Sequence, residues 1–252
     1  MSGRRYAARG VAILSAADIG RGEIASLRRV SRQSERAGKG AILDVIEPRA
    51  HGRLLDCGCG DGEFTAQVAC RARVSEAYGI ECAKDRIKEA ADRGIIVTEG
   101  DLNDPLPYKS CFFNIVHADQ IIERLPNIAL FLKEIKRVLR PDGYAVLSIN
   151  NLASWHNRFC LALGVEAGPS HVPNDAMVGS AADPLQTMRH PSESDSRLLA
   201  FSFQGLTELC HYQGFWVERL TFAGYYPLLS HLMGDLDTVH AAFLIARLRP
   251  RP

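Results

Sequence analysis

The stretch from residue 54 to residue 64, Leu-Leu-Asp-Cys-Gly-Cys-Gly-Asp-Gly-Glu-Phe, constrains the fold of this chain more than any other. Its apolar start predicts a buried strand, its alternating glycines predict a tight turn, and the residues that follow predict a helix. Because glycine has no Cβ, Gly58, Gly60 and Gly62 allow a ligand to approach the backbone closely. The segment therefore predicts a strand, a ligand-binding loop and a helix in succession.

The spacing of the three glycines excludes two common phosphate-binding loops. A nicotinamide-binding turn requires Gly-x-Gly-x-x-Gly, but Glu63 stands where the third glycine would fall. A P-loop requires Gly-Lys-Ser or Gly-Lys-Thr after the turn, and neither follows. The loop therefore matches neither pattern.

Acidic residues recur where later strands are predicted to end. Residues 77–81 form a short apolar segment that closes on Glu81, about twenty residues after the loop, where a carboxylate meets the ribose hydroxyls in nucleotide-binding α/β folds. Asp101 follows the next predicted strand, and Asp119 follows the one after that. Because parallel strands end at one edge of a sheet, we expect Asp56, Glu81, Asp101 and Asp119 to converge on one cleft.

Two passages resemble the class I S-adenosylmethionine (SAM) dependent methyltransferases. The glycine loop resembles motif I of that superfamily. Residues 132–144, Leu-Lys-Glu-Ile-Lys-Arg-Val-Leu-Arg-Pro-Asp-Gly-Tyr, are similar to its phrase Leu-x-Glu-x-x-Arg-Val-Leu-x-Pro-Gly-Gly, with Asp142 in place of the first glycine. The resemblance extends over residues 54–149 and is nearest to small-molecule methyltransferases and to methyltransferase-like proteins associated with methionine biosynthesis. It implies methyl transfer from SAM, with S-adenosyl-L-homocysteine as the product.

The resemblance also implies roles for individual residues. Glu81 would hold the ribose, Asp101 would accept from the adenine amino group, and Leu102 would pack on the adenine ring. The end of the fourth strand would border the methyl-bearing sulfur. The implied cofactor-binding residues are Asp56, Cys57, Gly58, Cys59, Gly60, Glu81, Cys82, Asp101, Leu102, Ala118, Asp119 and Gln120.

Catalytic residues are less clear from the sequence. Many relatives carry Glu-His-Leu where this chain has Glu123-Arg124-Leu125, which removes a candidate histidine base. We interpret His117 as a packed strand histidine. His171 and His190 lie in a long polar segment after the fifth strand, and either is a candidate general base if that segment folds over the cleft.

The fold predicted from these elements is a seven-stranded, doubly wound Rossmann-like α/β sheet. We expect an N-terminal helical cap over residues 1–50 and a SAM-binding domain over residues 51–252, with an acceptor-selecting lid at residues 151–201. Strands are also predicted at residues 215–222 and 241–248, and the resemblance implies that the last of them enters antiparallel. Helices are predicted at residues 62–73, 84–93, 128–140 and 202–213.

Composition limits the classes of partner. The net charge of +1 excludes a polyanion binder by bulk charge, although the first 53 residues are locally basic. Seven scattered cysteines indicate reduced thiols, and the Cys57-x-Cys59 pair has no second pair at zinc-site spacing, so we expect no metal. With no long apolar segment, we expect a cytoplasmic protein without a membrane span, either a monomer or a homodimer.

Two alternatives to a small-molecule methyltransferase remain open. One is a regulatory module that binds SAM without turnover. The other is an RNA methyltransferase that uses the basic N-terminal stretch, although no aromatic-basic interleaving supports nucleic-acid binding.

Overall fold

The computed structural model describes residues 21–162, 170–172, 176–178, 199–225, 237 and 239–251. Its helices are α1 (Arg21–Val45), α2 (Glu63–Ala72), α3 (Lys84–Asp92), α4 (Ile128–Val138), α5 (Trp155–Ala162) and α6 (Phe203–Tyr212). Its strands are β1 (Arg53–Cys57), β2 (Glu76–Glu81), β3 (Ile96–Glu99), β4 (Phe113–Asp119), β5 (Leu139–Asn150), β6 (Ser170–Val172), β7 (Ala176–Val178), β8 (Phe215–Ala223) and β9 (Phe243–Pro250).

Seven of these strands form one sheet in the order β3-β2-β1-β4-β5-β9-β8. Strands β1 to β5 are mutually parallel, whereas β9 runs antiparallel to both β5 and β8. The strand order reverses between β1 and β4, which is the topological switch point where open α/β sheets bind their ligands. The predicted seven-stranded Rossmann-like fold with an antiparallel last strand is confirmed.

Helices cover both faces of the sheet because the parallel strands are apolar on both sides. Leu54 and Leu55, adjacent in β1, are fully buried in different clusters, since successive side chains point to opposite faces. One cluster packs against α4 and α6, and the other packs against α1 and α2. The end of α1 is fixed by Tyr144, whose hydroxyl donates to the Glu47 carbonyl at 2.6 Å and accepts from the Glu47 amide at 2.9 Å.

The boundary between α4 and β5 differs from the prediction. Helix α4 ends at Val138 rather than at Arg140, and β5 begins at Leu139 because that residue pairs with Phe113 of β4. The sheet register shifts between Phe113 and Ile115 on β4, which accommodates the Pro-Asp-Gly sequence as an irregularity within β5. The predicted turn between helix and strand is therefore part of the strand.

Two other regions add detail to the prediction. The segment expected to lack regular structure contains a two-stranded antiparallel pair, β6 with β7. The remainder of residues 163–198, together with the start of the predicted N-terminal cap, lies outside the described residues. On α6, Leu206 and Cys210 are fully buried, whereas Phe203 at the start of the helix is 38% exposed. No helix in the described part of the chain is long and apolar enough to cross a membrane.

Candidate functional site

The loop between β1 and α2 has the backbone conformation that its glycines predict. Gly58, Gly60 and Gly62 have φ angles of 80°, 56° and 80°, all in the left-handed region that disfavours other residues. A Cβ on Gly58 would lie 2.4 Å from Cδ1 of Ile121, so this position also requires glycine for packing. A Cβ on Gly60 would meet nothing within 4 Å. The loop is thus packed tightly at its first glycine and borders open space at its second.

Backbone amides of the loop are anchored on β2. The amides of Gly58 and Cys59 both donate to the carbonyl of Ile80, at 2.9 and 3.1 Å. The next amide along the loop, that of Gly60, donates to Oε2 of Glu81 at 2.9 Å. The loop is therefore preorganised by contacts with the neighbouring strand.

The Glu81 carboxylate accepts hydrogen bonds from three backbone amides. Its side chain is buried at the end of β2, and its Oε1 accepts from the amides of Cys82 and Ala83 at 2.9 and 3.0 Å. Its Oε2 accepts from the Gly60 amide. A carboxylate oxygen can accept two hydrogen bonds, so Oε2 retains capacity for a further donor beside the open space at Gly60.

Asp101 lies on the loop after β3, where its side chain is exposed. Its Oδ1 accepts from the Asn103 amide at 2.8 Å and from the Asn103 side chain at 2.9 Å, which closes an Asx turn. The adjacent Leu102 is 8% exposed and belongs to the larger core cluster. The turn fixes the orientation of the Asp101 carboxylate, while Leu102 anchors the loop to the core.

An ion pair on α4 holds the chain that follows Asp101. Arg137 lies 2.6 Å from Glu134, and it donates to the carbonyls of Tyr108 and Leu106 at 2.7 and 2.9 Å. Glu134 in turn accepts from the Leu106 amide at 2.9 Å. These contacts explain the arginine and glutamate of the sequence phrase at residues 132–144, because both side chains tie the loop between β3 and β4 to the helix.

Asp56, at the end of β1, is buried and makes two side-chain contacts. Its carboxylate accepts from Thr65 Oγ1 at 2.5 Å and contacts Nδ1 of His117 at 2.7 Å, and both Asp56 and His117 are buried. Burial acts to lower the pKa of His117, but the Asp56 carboxylate and its hydrogen bond, with a smaller effect of Asp119, raise that pKa above its ordinary value. Asp56 therefore connects β1, β4 and α2 beneath the loop.

The end of β4 carries an unusual backbone conformation. Gln120 has a φ of 53°, which is uncommon for a residue other than glycine and concentrates at functional sites. The Asn150 side chain donates to Gln120 Oε1 at 2.9 Å and also to the buried carboxylate of Glu123. Ser148 donates to Asp119 across the same pair of strands. A polar network therefore joins the ends of β4 and β5.

A second polar network lies immediately beyond β5. The buried side chain of Asn151 donates to the carbonyls of Val239 and Ala241, both at 2.9 Å. Trp155 Nε1 donates to the Asp237 carboxylate at 2.6 Å, and Nδ1 of His240 lies 2.8 Å from the same carboxylate. These contacts bring the segment before β9 against the start of α5.

The model of a family described as a methyltransferase domain matches residues 55–147, from β1 into β5. The matched span contains the glycine loop, the buried carboxylate of Glu81, the Asx turn at Asp101 and the ion pair between Arg137 and Glu134. Residues 55–147 therefore belong to the class I SAM-dependent methyltransferases.

Relatives of this methyltransferase domain have different whole-protein functions. A bifunctional methionine biosynthesis protein, MetXA/MetW, from Rhodopirellula baltica is 31% identical over 121 residues, which is 45% of this chain and 19% of that protein. A 27-O-demethylrifamycin SV methyltransferase from Amycolatopsis mediterranei is 31% identical over 116 residues, which is 42% of this chain and 41% of that protein. The chain thus spans less than half the length of these curated relatives.

A solved structure resembles the whole fold. The crystal structure of a SAM-dependent methyltransferase from Thermotoga maritima, titled a possible histamine N-methyltransferase, matches with a TM-score of 0.58. The alignment covers 91% of this chain and 96% of that chain at 18% identity. At this identity the likeness supports the methyltransferase fold and not the acceptor.

Most predicted cofactor-binding residues lie along the carboxyl edge of the methyltransferase sheet. Cys57 and Cys59 flank Gly58, and burial raises the pKa of Cys57 well above its ordinary value and that of Cys59 to about 12, so both are thiols at neutral pH. The Ala118 side chain is buried in the larger core cluster. The side chain of His171 and the whole of His190 lie outside the described residues.

Sequence reasoning gave no individual role to several polar residues at the carboxyl edge of the sheet. The unassigned polar residues at this edge are Glu123, Ser148, Asn150, Asn151, Asp237 and His240. One available signal was the antiparallel last strand, because the residues before such a strand must lie at the edge where the parallel strands end. That rule would have drawn attention to Asp237 and His240.

Proposed function

We propose that this protein binds SAM at the carboxyl edge of its sheet and transfers the methyl group to a small-molecule acceptor. The observation that carries the proposal is the orientation of the Glu81 carboxylate, which three backbone amides hold beside the open space at Gly60. A carboxylate fixed in this way accepts from ribose hydroxyls without further rearrangement. It would repel a 2′-phosphate, which favours an adenosine ribose.

The other cofactor contacts follow from the loops around Glu81. Asp101 Oδ2 would accept from the adenine amino group, because Oδ1 is occupied by Asn103. The Gly60 region would lie against the amino-acid part of SAM, and the end of β4 would lie beside the sulfur. The residues proposed to bind the cofactor, some through backbone atoms, are Asp56, Cys57, Gly58, Cys59, Gly60, Glu81, Cys82, Asp101, Leu102, Ala118, Asp119 and Gln120, with Asp56 acting from below the loop.

Electrostatics support a cationic ligand here. Glu81, Asp101 and Asp119 all follow or end strands at one edge of the sheet. SAM carries a sulfonium and an α-amino group, so carboxylates attract it, whereas they would repel a triphosphate.

The chemistry that SAM supplies when bound is an electrophilic methyl group. The protein's residues would orient the acceptor in line with the sulfur and exclude water, and positioning of this kind accounts for a large part of the rate in such reactions. We further propose that residues 51–252 form the SAM-binding domain and that residues 151–201 select the acceptor. A small acceptor is supported by the name of the Amycolatopsis mediterranei relative and by the modest net charge of this chain.

Transfer of a labelled methyl group tests the proposal. The protein would be incubated with methyl-labelled SAM and a metabolite extract, and separately with RNA from the same cells. We expect label in a low-molecular-weight product. The Asp101→Ala variant should lose at least about tenfold in transfer, because a hydrogen bond to a charged group contributes about 1.5–3 kcal/mol.

Asp104→Ala is the matched control, because Asp104 is an exposed aspartate on the same loop. Label in RNA alone would contradict the small-molecule assignment. SAM binding without transfer to any acceptor would support a regulatory module instead. Equal transfer by both variants would contradict the role of Asp101.

A further inference from the structure

Asp237 and His240 form a hydrogen-bonded pair just before β9. The Asp237 carboxylate contacts Nδ1 of His240 at 2.8 and 2.9 Å, and it accepts from the amides of Val239 and His240 at 3.1 and 3.2 Å. Trp155 Nε1 donates to the same carboxylate at 2.6 Å. Four donors from two parts of the chain therefore fix both the carboxylate and the imidazole.

The pair lies at the edge of the sheet where the cofactor is proposed to bind. Phe243, the first residue of β9, pairs with Asn150, the last residue of β5. Asn151 holds the carbonyls on both sides of His240, and the Trp155 amide donates to the His240 carbonyl at 3.1 Å. Asn150 itself contacts Gln120, at the end of β4. The adjacent residues Asn150 and Asn151 therefore contact, respectively, the strand end proposed to border the sulfur and the backbone on both sides of His240.

The contact with Asp237 selects one tautomer of His240. A hydrogen on Nδ1 donates to the carboxylate, which leaves Nε2 with a lone pair. The imidazole is 24% exposed, and the described residues provide no hydrogen-bond partner for Nε2. A histidine oriented by a carboxylate, with its second nitrogen open, is the arrangement that general bases use.

We infer that His240 is the general base of the methyl transfer and that the acceptor nucleophile is a hydroxyl group. This inference rests on the proposed function. The acceptor oxygen attacks the methyl carbon, a C–O bond forms, the C–S bond breaks, and its electron pair remains on sulfur as the neutral thioether of S-adenosylhomocysteine. The hydroxyl proton passes to Nε2 of His240 and then to solvent, and Asp237 stabilises the imidazolium that forms.

The surrounding groups are compatible with this role. Burial acts to raise the pKa of Asp237, but hydrogen bonds from His240, Trp155 and two amides outweigh it and lower that pKa, so the carboxylate stays charged. The Tyr225 hydroxyl donates to the Asp237 carbonyl, and burial, with a smaller contribution from Asp237, raises the pKa of Tyr225. Arg158 lies over the Trp155 ring, 5.8 Å from its centroid, and is the nearby cation of α5. Among the residues that the structure describes, the groups named here around His240 are the Asp237 carboxylate, the Tyr225 phenol and the Arg158 guanidinium.

Nuclear magnetic resonance titration of the His240 imidazole tests the inference without an identified acceptor. The probes are S-adenosylhomocysteine, which is neutral at sulfur, and sinefungin, which carries an ammonium group where SAM carries its methyl sulfonium. If His240 faces the reacting centre, its pKa should be lower with sinefungin than with S-adenosylhomocysteine by at least about half a unit, because a nearby positive charge disfavours the imidazolium.

His211 is the internal control, because it lies on α6 next to Trp216, away from this network. Its pKa should be the same in both complexes, and the His240→Gln variant assigns the resonance. Equal His240 pKa values in the two complexes would overturn the inference while leaving the proposed function intact. Failure of both nucleosides to bind in calorimetry would overturn the proposed function, and the inference with it.

A second readout separates catalysis from a structural role. His240→Gln should bind S-adenosylhomocysteine as the wild type does and should reduce label transfer about 10²- to 10⁴-fold, the usual contribution of a general base. Asp237→Asn should reduce label transfer less than His240→Gln does, since the imidazole keeps its place. It should also shift the pH dependence of transfer, because the imidazole loses its charged partner. Wild-type transfer by His240→Gln would contradict the inference.

Discussion

The proposed cofactor side and the proposed acceptor side of the sheet edge are built differently. On the cofactor side, around β1 to β3, the contact between Gly60 and Glu81 joins residues 21 positions apart. On the acceptor side, around β5 and β9, the contact of Asn151 with Val239 joins residues 88 apart, and that of Trp155 with Asp237 joins residues 82 apart. One region is formed by neighbouring βα units, and the other exists only after the last strand has docked.

This difference has a consequence for how each region responds to mutation. The cofactor side depends on backbone geometry, so few residue types fit its positions. The acceptor side depends on side-chain hydrogen bonds between distant segments, so it can change while the cofactor loop stays the same. Substitutions on the cofactor side should therefore reduce cofactor affinity, and those on the acceptor side should reduce stability or turnover at unchanged cofactor affinity.

The largest effect is expected for Gly58→Ala on the cofactor side. Its φ of 80° is unfavourable for alanine, and the new Cβ would lie 2.4 Å from Ile121. We expect the free energy of unfolding to fall by about 3 kcal/mol or more and cofactor binding to be lost. Gly40→Ala is the control, because a Cβ there meets nothing within 4 Å and alanine favours the helix. Urea unfolding and calorimetry measure both effects, and a Gly58→Ala protein of wild-type stability would contradict the account.

Arg137→Ala should have the next largest effect. It removes an ion pair with Glu134 and two hydrogen bonds to the loop between β3 and β4. We expect a loss of about 2–4 kcal/mol in the free energy of unfolding, because Glu134, which is largely buried, loses its partner. Affinity for S-adenosylhomocysteine should fall as well, since the loop carries Asp101. Lys133→Ala, at an exposed position of the same helix, is the control and should change neither quantity. Equal losses in the two variants would contradict the claim that Arg137 holds the loop between β3 and β4.

Asn151→Ala tests the acceptor side. The substitution leaves the carbonyls of Val239 and Ala241 without their donor in a buried position. We expect the free energy of unfolding to fall by about 1–3 kcal/mol. Affinity for S-adenosylhomocysteine should stay within about twofold, because no cofactor contact is proposed here. A loss of affinity comparable to that of Arg137→Ala would remove the distinction between the two regions.

The smallest effect is expected for the pH dependence of His117. Its pKa is raised in the folded protein, so its contribution to stability is complete below the unfolded value of about 6.5 and is lost as pH rises through the higher folded value. The wild type should therefore lose more unfolding free energy between pH 6 and pH 9 than His117→Gln does. His211→Gln serves as a surface control with the wild-type slope. A steeper slope in His117→Gln would show that the Asp56 pair does not behave as described.

The sequence predicted the loop between β1 and α2 and the place of Glu81 at the end of β2 well, because the signals for both are local. Glycines that need positive φ stand next to each other in the chain, and Glu81 follows a short apolar strand, so pattern and spacing were sufficient. The order of the sheet followed from the same alternation of strands and helices together with the family resemblance. His117 was correctly interpreted as a packed strand histidine, but its contact with Asp56 could not be predicted, because the two residues lie 61 positions apart.

The acceptor side could not be predicted in the same way. His240 stands alone in the sequence, and Asp237 becomes its partner only through a loop whose other contact is Trp155. The start of β5 was predicted wrongly because the Pro-Asp-Gly sequence is typical of a turn. In the structure this sequence lies within β5, at a shift in the register between β4 and β5.

Titration calorimetry with S-adenosylhomocysteine on the wild type and on Glu81→Gln tests the central claim most directly. Glu99→Gln is the matched control, because Glu99 ends the neighbouring strand but is exposed. We predict binding by the wild type and by Glu99→Gln with the same affinity, and binding at least about tenfold weaker by Glu81→Gln, since an amide cannot accept the same set of backbone and ribose hydrogen bonds. Absence of binding to the wild type, or equal affinity of all three proteins, would contradict the assignment of this edge as the SAM site.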